Sequence, residues 1–268
     1  ANKTRTPAVF VGANDGMLHA FSAADDDGGT ELWAFVPTAV MSNMYNLADT
    51  GYATKHRFFV DGPPVTGDVY INGAWKTILV GGLGKGGKSY YALDITDPTK
   101  APVLLWEFTD TNLGWTFGNP VITRRPKDGT WVVAFASGYN NADGQGHLYV
   151  VDAASGKKLA DISTGAGTAA DPSGLAKISG WIDNETDNTA MRFYGGDLLG
   201  NLWRFDVDGL VEPKGAALAL AKFQVNASTP QPVTTQPRLT MVANQPVIIV
   251  GTGRHLGTGE ITDTSQQS

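Results

Sequence analysis

Short runs of alternating apolar and polar or small residues recur along the chain, each closed by glycine or by a Gly/Asn/Asp cluster. The unit is an apolar strand ending in Gly, a turn-forming loop, and a small–aromatic–x–apolar strand that closes on Asp. It occurs as Val9-Phe-Val-Gly12 with Gly16-Met-Leu-His-Ala-Phe21, and as Ile78-Leu-Val-Gly-Gly82 with Ser89-Tyr-Tyr-Ala-Leu-Asp94. It returns as Val132-Val-Ala-Phe-Ala-Ser-Gly138 with Gly146-His-Leu-Tyr-Val-Val-Asp152, and as Arg192-Phe-Tyr-Gly-Gly196 with Gly200-Asn-Leu-Trp-Arg-Phe-Asp206. A fifth copy opens at Val247-Ile-Ile-Val-Gly251. Alternation with period two, in runs this short, predicts half-buried β-strands. A further strand behind a Gly/Pro signal precedes most copies (Asp61-Gly-Pro-Pro-Val, Gly118-Asn-Pro-Val-Ile, Gln236-Pro-Arg-Leu-Thr). Another follows several (Glu31-Leu-Trp-Ala-Phe35, Val103-Leu-Leu-Trp-Glu-Phe108, Lys158-Leu-Ala-Asp-Ile162).

Four short strands repeating roughly every 55 to 70 residues predict one propeller blade per repeat. A lone four-stranded sheet cannot cover its own faces, whereas stacked blades cover each other. The expected fold is an all-β propeller, a single domain over 1–268 with at least four to five blades visible. The main exception to the strand pattern is Thr38–Ala48, which follows Pro37 with apolar residues at helical spacing and predicts a short helical insertion near 38–48.

Composition agrees with this and narrows the function. Thirty-three Gly and fourteen Pro suit many tight turns, and 42% hydrophobic residues suffice for a core. A net charge of -6 offers no basic excess for nucleic acid. The absence of cysteine excludes disulfides, thiolate metal sites and cysteine nucleophiles. No apolar run is long enough to span a bilayer. The start, Ala-Asn-Lys-Thr, has no signal-peptide pattern, so the chain is expected to be part of a larger protein.

Several motifs suggest chemistry. Gly82-Leu-Gly-Lys-Gly-Gly-Lys-Ser89 spells a phosphate-binding loop, yet Tyr90-Tyr-Ala-Leu-Asp-Ile95 is β-prone where a helix would be needed, so a strand-to-strand turn and no nucleotide are expected. His19, His56, His147 and His255 are dispersed, with His19 and His147 at related strand positions, and no nucleophile motif accompanies them. Trp33, Trp106, Trp131 and Trp203 fall in strands and are expected in the inter-blade core rather than on a sugar-binding platform. Trp115 and Trp181 lie near strand starts. Asp183, Glu185 and Asp187 step as calcium ligands do, with Asn188 at the turn position and the Thr189 carbonyl next. The favoured reading of the same residues is an acidic hairpin turn between the flanking strands. Met191 supplies no oxygen at the ninth position.

Six stretches occur in one order: Val11-Gly-Ala-Asn-Asp-Gly-Met-Leu-His-Ala-Phe21, Glu31-Leu-Trp-Ala-Phe-Val-Pro37, Phe59-Val-Asp-Gly62, Val80-Gly-Gly-Leu-Gly84 with Tyr90-Tyr-Ala-Leu-Asp94, Gly196-Asp-Leu-Leu-Gly-Asn-Leu-Trp-Arg-Phe-Asp206, and Gly251-Thr-Gly-Arg254. Together they resemble the C-terminal propeller domain of the PilC/PilY type IV pilus proteins, from end to end of the chain. The resemblance implies a modified seven-bladed propeller, a place on the bacterial surface, pilus tip or outer membrane, and a non-enzymatic role in pilus biogenesis, twitching motility and adhesion. Minor pilins, the assembly machinery and a host or abiotic surface would be its partners. It also implies a larger protein with a separate N-terminal region and a strand beyond Thr262-Asp-Thr-Ser-Gln-Gln-Ser268. The family's calcium loop, of the form D-x-D-x-D-G-x-x-D, maps onto 183–191, where Glu185, Asn188 and Met191 depart from it. A competing likeness lies in Gly146-His-Leu-Tyr-Val-Val-Asp-Ala-Ala-Ser-Gly-Lys157, which looks like a repeat of pyrroloquinoline-quinone dehydrogenases and of outer-membrane assembly propellers. The irregular repeats and the lack of a vicinal disulfide count against the enzyme.

Overall fold

Alternating strands and Gly-rich turns produce a series of antiparallel meanders in the computed structural model, which describes residues 5–184 and 186–262. The strands β1 (Ala8–Gly12), β2 (Leu18–Ser22) and β3 (Glu31–Phe35) form a three-stranded sheet. A four-stranded blade follows, from β4 (Val65–Ile71) through β5 (Ala74–Gly82) and β6 (Tyr90–Asp94) to β7 (Val103–Phe108). The next comprises β8 (Val121–Arg124), β9 (Trp131–Ala136), β10 (His147–Asp152) and β11 (Lys158–Ser163). A further one comprises β12 (Ile178–Asn184), β13 (Thr189–Gly196), β14 (Asn201–Asp206) and β15 (Ala217–Lys222). Two hairpins complete the strands among the described residues: β16 (Gln224–Asn226) with β17 (Thr229–Pro230), and β18 (Arg238–Val242) with β19 (Gln245–Ile249). These are the blades that the repeat predicts.

The central strands of the second and third blades differ from the half-buried expectation, because they are covered on both faces. β9 is buried at every position. Its Val133 and Phe135 join Ile78, Val80, Tyr90, Tyr149 and Val151 in one core between the second and third blades. The alternate residues Val132, Ala134 and Ala136 join Leu148, Val150, Phe193 and Phe205 in a core between the third and fourth. β6 divides likewise, with Tyr91 and Leu93 packing toward Leu18, Ala20 and Trp33 of the first sheet. Period two therefore separates two cores rather than core from solvent. Trp33, Trp106, Trp131 and Trp203 are all buried, as their strand positions predict.

The punctuation of the repeat has direct physical causes. A Cβ on Gly62 would sit 2.3 Å from the Gly82 carbonyl oxygen, and one on Gly118 would sit 2.1 Å from that of Ala176. Only glycine lets these approaches to the first strand of a blade pass so close to neighbouring backbone. The closing Asp caps the turn that follows it: Asp152 Oδ1 accepts from the backbone N–H of Ala154 and Ser155 at 3.1 and 2.8 Å. Asp206 accepts from those of Leu210, Val211 and Gly215. Asp152 reaches the N–H groups just beyond it, as short carboxylates do in turns, whereas Asp206 gathers the N–H groups of a longer loop.

The helical insertion is present but broken. One α-turn, α1 (Thr38–Met41), is followed by 3₁₀ turns at Met44–Ala48 and Tyr52–Thr54. Val40 is its buried anchor in α1, too little apolar face for a continuous helix. The glycine loop at 82–89 joins antiparallel β5 to β6 and opens into no helix, so it lacks the helix N-terminus that a phosphate loop needs. Lys88 Nζ instead donates to the Asn140 carbonyl at 2.7 Å.

Candidate functional site

The turn between β12 and β13 carries the acidic sequence. Glu185 and the side chain of Asp183 lie outside the described residues. The remaining part is held by its own backbone and by the blade beside it. Asn188 adopts φ of 57°, a conformation that Asn tolerates better than most residues. Its carbonyl accepts from Arg124 N–H at 2.9 Å and from Thr123 Oγ1 at 2.6 Å, while its Nδ2 donates to the Ile122 carbonyl at 3.1 Å. Thr189 then pairs with Arg124 in a parallel bridge that joins the third and fourth blades. Asp187 Oδ1 accepts from Thr189 N–H at 3.1 Å, and Asp187 Oδ2 lies 3.8 Å from Arg124 Nη1. A calcium ion held by Asp187 would share it with this guanidinium.

This turn borders a cleft of about 1000 Å³. The turns between first and second strands of three successive blades meet there, since equivalent turns of a propeller lie at one end. Asn72 and Gly73, both at positive φ, make the two-residue turn of β4–β5 and set Tyr70 opposite Trp75. Trp75 is 63% exposed and Tyr70 51%. Trp75 meets Tyr70 edge-on at 5.7 Å and the buried Trp131 at 5.9 Å. Around these rings stand Arg5, Asp68, Lys76 and Arg124. No motif in the sequence marks Trp75. The usable signal was an Asn-Gly turn flanked by aromatics.

A second constellation repeats from blade to blade. Asp15 Oδ2 lies 2.8 Å from His19 Nε2, and Glu31 Oε1 lies 2.6 Å from Nδ1. In the third blade Asp143 Oδ2 lies 2.9 Å from His147 Nε2 and Asp161 Oδ1 lies 2.7 Å from Nδ1. Each imidazole stacks on the aromatic two residues on, Phe21 or Tyr149. In the fourth blade Asn201 takes the same place, its Nδ2 donating to Asp197 Oδ2 at 2.9 Å, joined by Trp203 Nε1 at 2.8 Å. The hydrogen bond to Glu31, then that to Asp15, holds the His19 pKa above its ordinary value against the opposing effect of burial. Burial pushes the Asp197 carboxyl up, although Asn201 and Trp203 donate to it. The sequence showed the first carboxylate of each His pair four residues upstream. It hid Glu31 and Asp161, which strand register brings across from the next strand.

These repeated blades are accompanied by sequence similarity along their whole length. The sequence model of the PilY1 beta-propeller domain matches residues 1–268. The chain belongs to the PilY1 β-propeller family. It is 35% identical over 293 residues to the type IV pilus biogenesis factor PilY1 of Pseudomonas aeruginosa, covering 99% of this chain and 24% of that protein. A PilY1 homolog of Xylella fastidiosa is 38% identical over 221 residues, covering 78% of this chain and 14% of the relative. This PilY1-type propeller thus spans about a quarter or less of these relatives. The crystal structure of the Pseudomonas aeruginosa PilY1 C-terminal domain superposes with a TM-score of 0.80 at 35% identity, over 98% of this chain and 56% of that one. A quinohemoprotein alcohol dehydrogenase of Pseudomonas putida shares the fold alone, with a TM-score of 0.50 at 14% identity over 92% of this chain and 37% of that one.

Proposed function

We propose that this propeller is a non-enzymatic module of a type IV pilus biogenesis factor. In this reading it stands at the cell surface or pilus tip of a Gram-negative bacterium. It works with minor pilins and the assembly machinery to support pilus assembly, twitching motility and attachment to host or abiotic surfaces. The supporting observation is the end-to-end match to the PilY1 propeller, in sequence and in fold, rather than the fold by itself. The two histidines that could suggest catalysis have both ring nitrogens engaged by carboxylates, which favours a structural part for them. Calcium, if bound at 183–189, is bound weakly in this proposal, because Arg124 competes for Asp187 and Met191 offers no oxygen. Deleting the parent gene tests the reading. The expected result is loss of surface pili and twitching with pilin synthesis intact, restored by the full gene. Normal piliation and attachment in the deletion strain would instead favour an outer-membrane assembly scaffold.

A further inference from the structure

The cleft beside Trp75 has features that blade packing does not explain. Large aromatic rings on a propeller are usually spent between blades, as Trp33, Trp106 and Trp131 are. Trp75 and Tyr70 are instead carried on a tight hairpin and face solvent, forming with Trp131 a line of three rings. Exposed aromatic rings beside polar groups offer a flat stacking face with hydrogen-bonding partners around it. The rim here is mixed in sign and closely spaced. Arg5 Nη1 donates to Thr77 Oγ1 at 2.5 Å, and Thr77 Oγ1 donates to Asp68 Oδ1 at 2.6 Å. Lys76 pairs with Asp94 at 3.0 Å, and the Arg124 guanidinium lies over Trp131 at 6.0 Å. Among the described residues Arg5 has no carboxylate within ion-pair distance, which leaves a guanidinium available at the edge of the rings.

From this arrangement we propose that the cleft binds a saccharide bearing a carboxylate, such as a uronate-containing polysaccharide. A pyranose has a flat face of C–H groups and a rim of hydroxyls. The C–H face can lie against the exposed ring of Trp75, and the hydroxyls find donors and acceptors in Lys76 and Asp187 at the cleft wall. The carboxylate falls to Arg5, because a guanidinium offers two parallel N–H donors to it. A cleft of about 1000 Å³ is at the large end for small-molecule sites and suits a few linked sugars rather than one. The inference stands apart from the pilus reading, since it concerns binding by the isolated chain.

Tetragalacturonate and its carboxyl-reduced, neutral counterpart are the probes, titrated against the 268-residue chain by calorimetry and tryptophan fluorescence. The expected result is saturable binding of the acidic tetramer, weakened by salt, with a change in tryptophan emission. Trp75→Ala is expected to lower affinity about tenfold or more, and Trp75→Phe by less, since the smaller ring still stacks. Arg5→Ala is expected to remove the preference for the acidic over the reduced tetramer. Both positions are exposed, and circular dichroism of each variant confirms that it folds. No saturable binding of either tetramer, or equal binding by the Trp75→Ala variant, overturns the site. Equal binding of the two tetramers by the unsubstituted chain overturns the carboxylate.

Discussion

Two carboxylates, one on each ring nitrogen, leave His19 little reason to lose a proton. Glu31 and Asp15 both favour the imidazolium, and burial opposes it only in part. The sign of the stability effect follows. The unfolded chain titrates near the ordinary value of 6.5, and the folded chain titrates above it. The stabilisation by charged His19 is therefore fully present below pH 6.5 and is lost as pH rises through the folded pKa. An NMR titration is expected to place the His19 midpoint above 6.5, and His19→Gln is expected to flatten this part of the stability profile. A midpoint at or below 6.5 contradicts it. Asp197 illustrates the opposite balance. Buried completely, it collects the Asn201 backbone and side-chain N–H groups and the Trp203 indole. Asp197→Ala leaves these donors without an acceptor, and the expected loss is about 3 kcal/mol, read as a lower midpoint in urea. Asn at this position keeps one acceptor oxygen and is expected to lose less.

At the scale of elements, the β12–β13 turn serves as an inter-blade clamp whatever else it does. Asn188 combines a positive φ with three hydrogen bonds to β8, so its replacement by Ala removes the Nδ2 donor and adds backbone strain. The expected cost is about 1–2 kcal/mol, seen in equilibrium unfolding. For calcium, calorimetry is expected to show weak or no binding, and Arg124→Ala is expected to strengthen any that exists by freeing Asp187 from its neighbour. Tight binding lost on Asp187→Ala would mean that a ligand replaces Met191 from elsewhere. Much of this level was legible beforehand. The Gly, Pro and Asp positions announced the turns because each acts on its own few residues. The pattern over 38–48 predicts the helical insertion but not its breaks, because it does not reveal that only Val40 anchors α1. The cleft was harder to see. Trp75, Arg124 and Arg5 lie far apart in sequence, and only the folded chain brings them to one cleft.

At the scale of the molecule, the central strands of the second and third blades are each shared by two cores, and this sharing should make the blades unfold together. Phe135 of β9 is the clearest point at which to test it. Its ring lies 4.2 Å from Tyr90 of the second blade and 5.3 Å from Phe108 of the same blade, and 5.9 Å from Tyr149 of its own. The residues beside it, Ala134 and Ala136, pack the other way, toward Phe193 and Phe205. A hole at Phe135 cannot relax by shifting β9 toward the second blade without withdrawing Ala134 and Ala136 from the fourth. Close-packed surroundings with little freedom to collapse place Phe135→Ala near the upper part of the usual range, a loss of about 4 kcal/mol. Blades in contact only with their neighbours can in principle unfold in steps. Strands buried on both faces argue against that here. The expected result is a single urea transition, coincident by tryptophan fluorescence and circular dichroism, moved to a lower midpoint with its slope unchanged. Two separated transitions in the Phe135→Ala variant would show that the third and fourth blades hold without the second, and that the cores are additive rather than coupled.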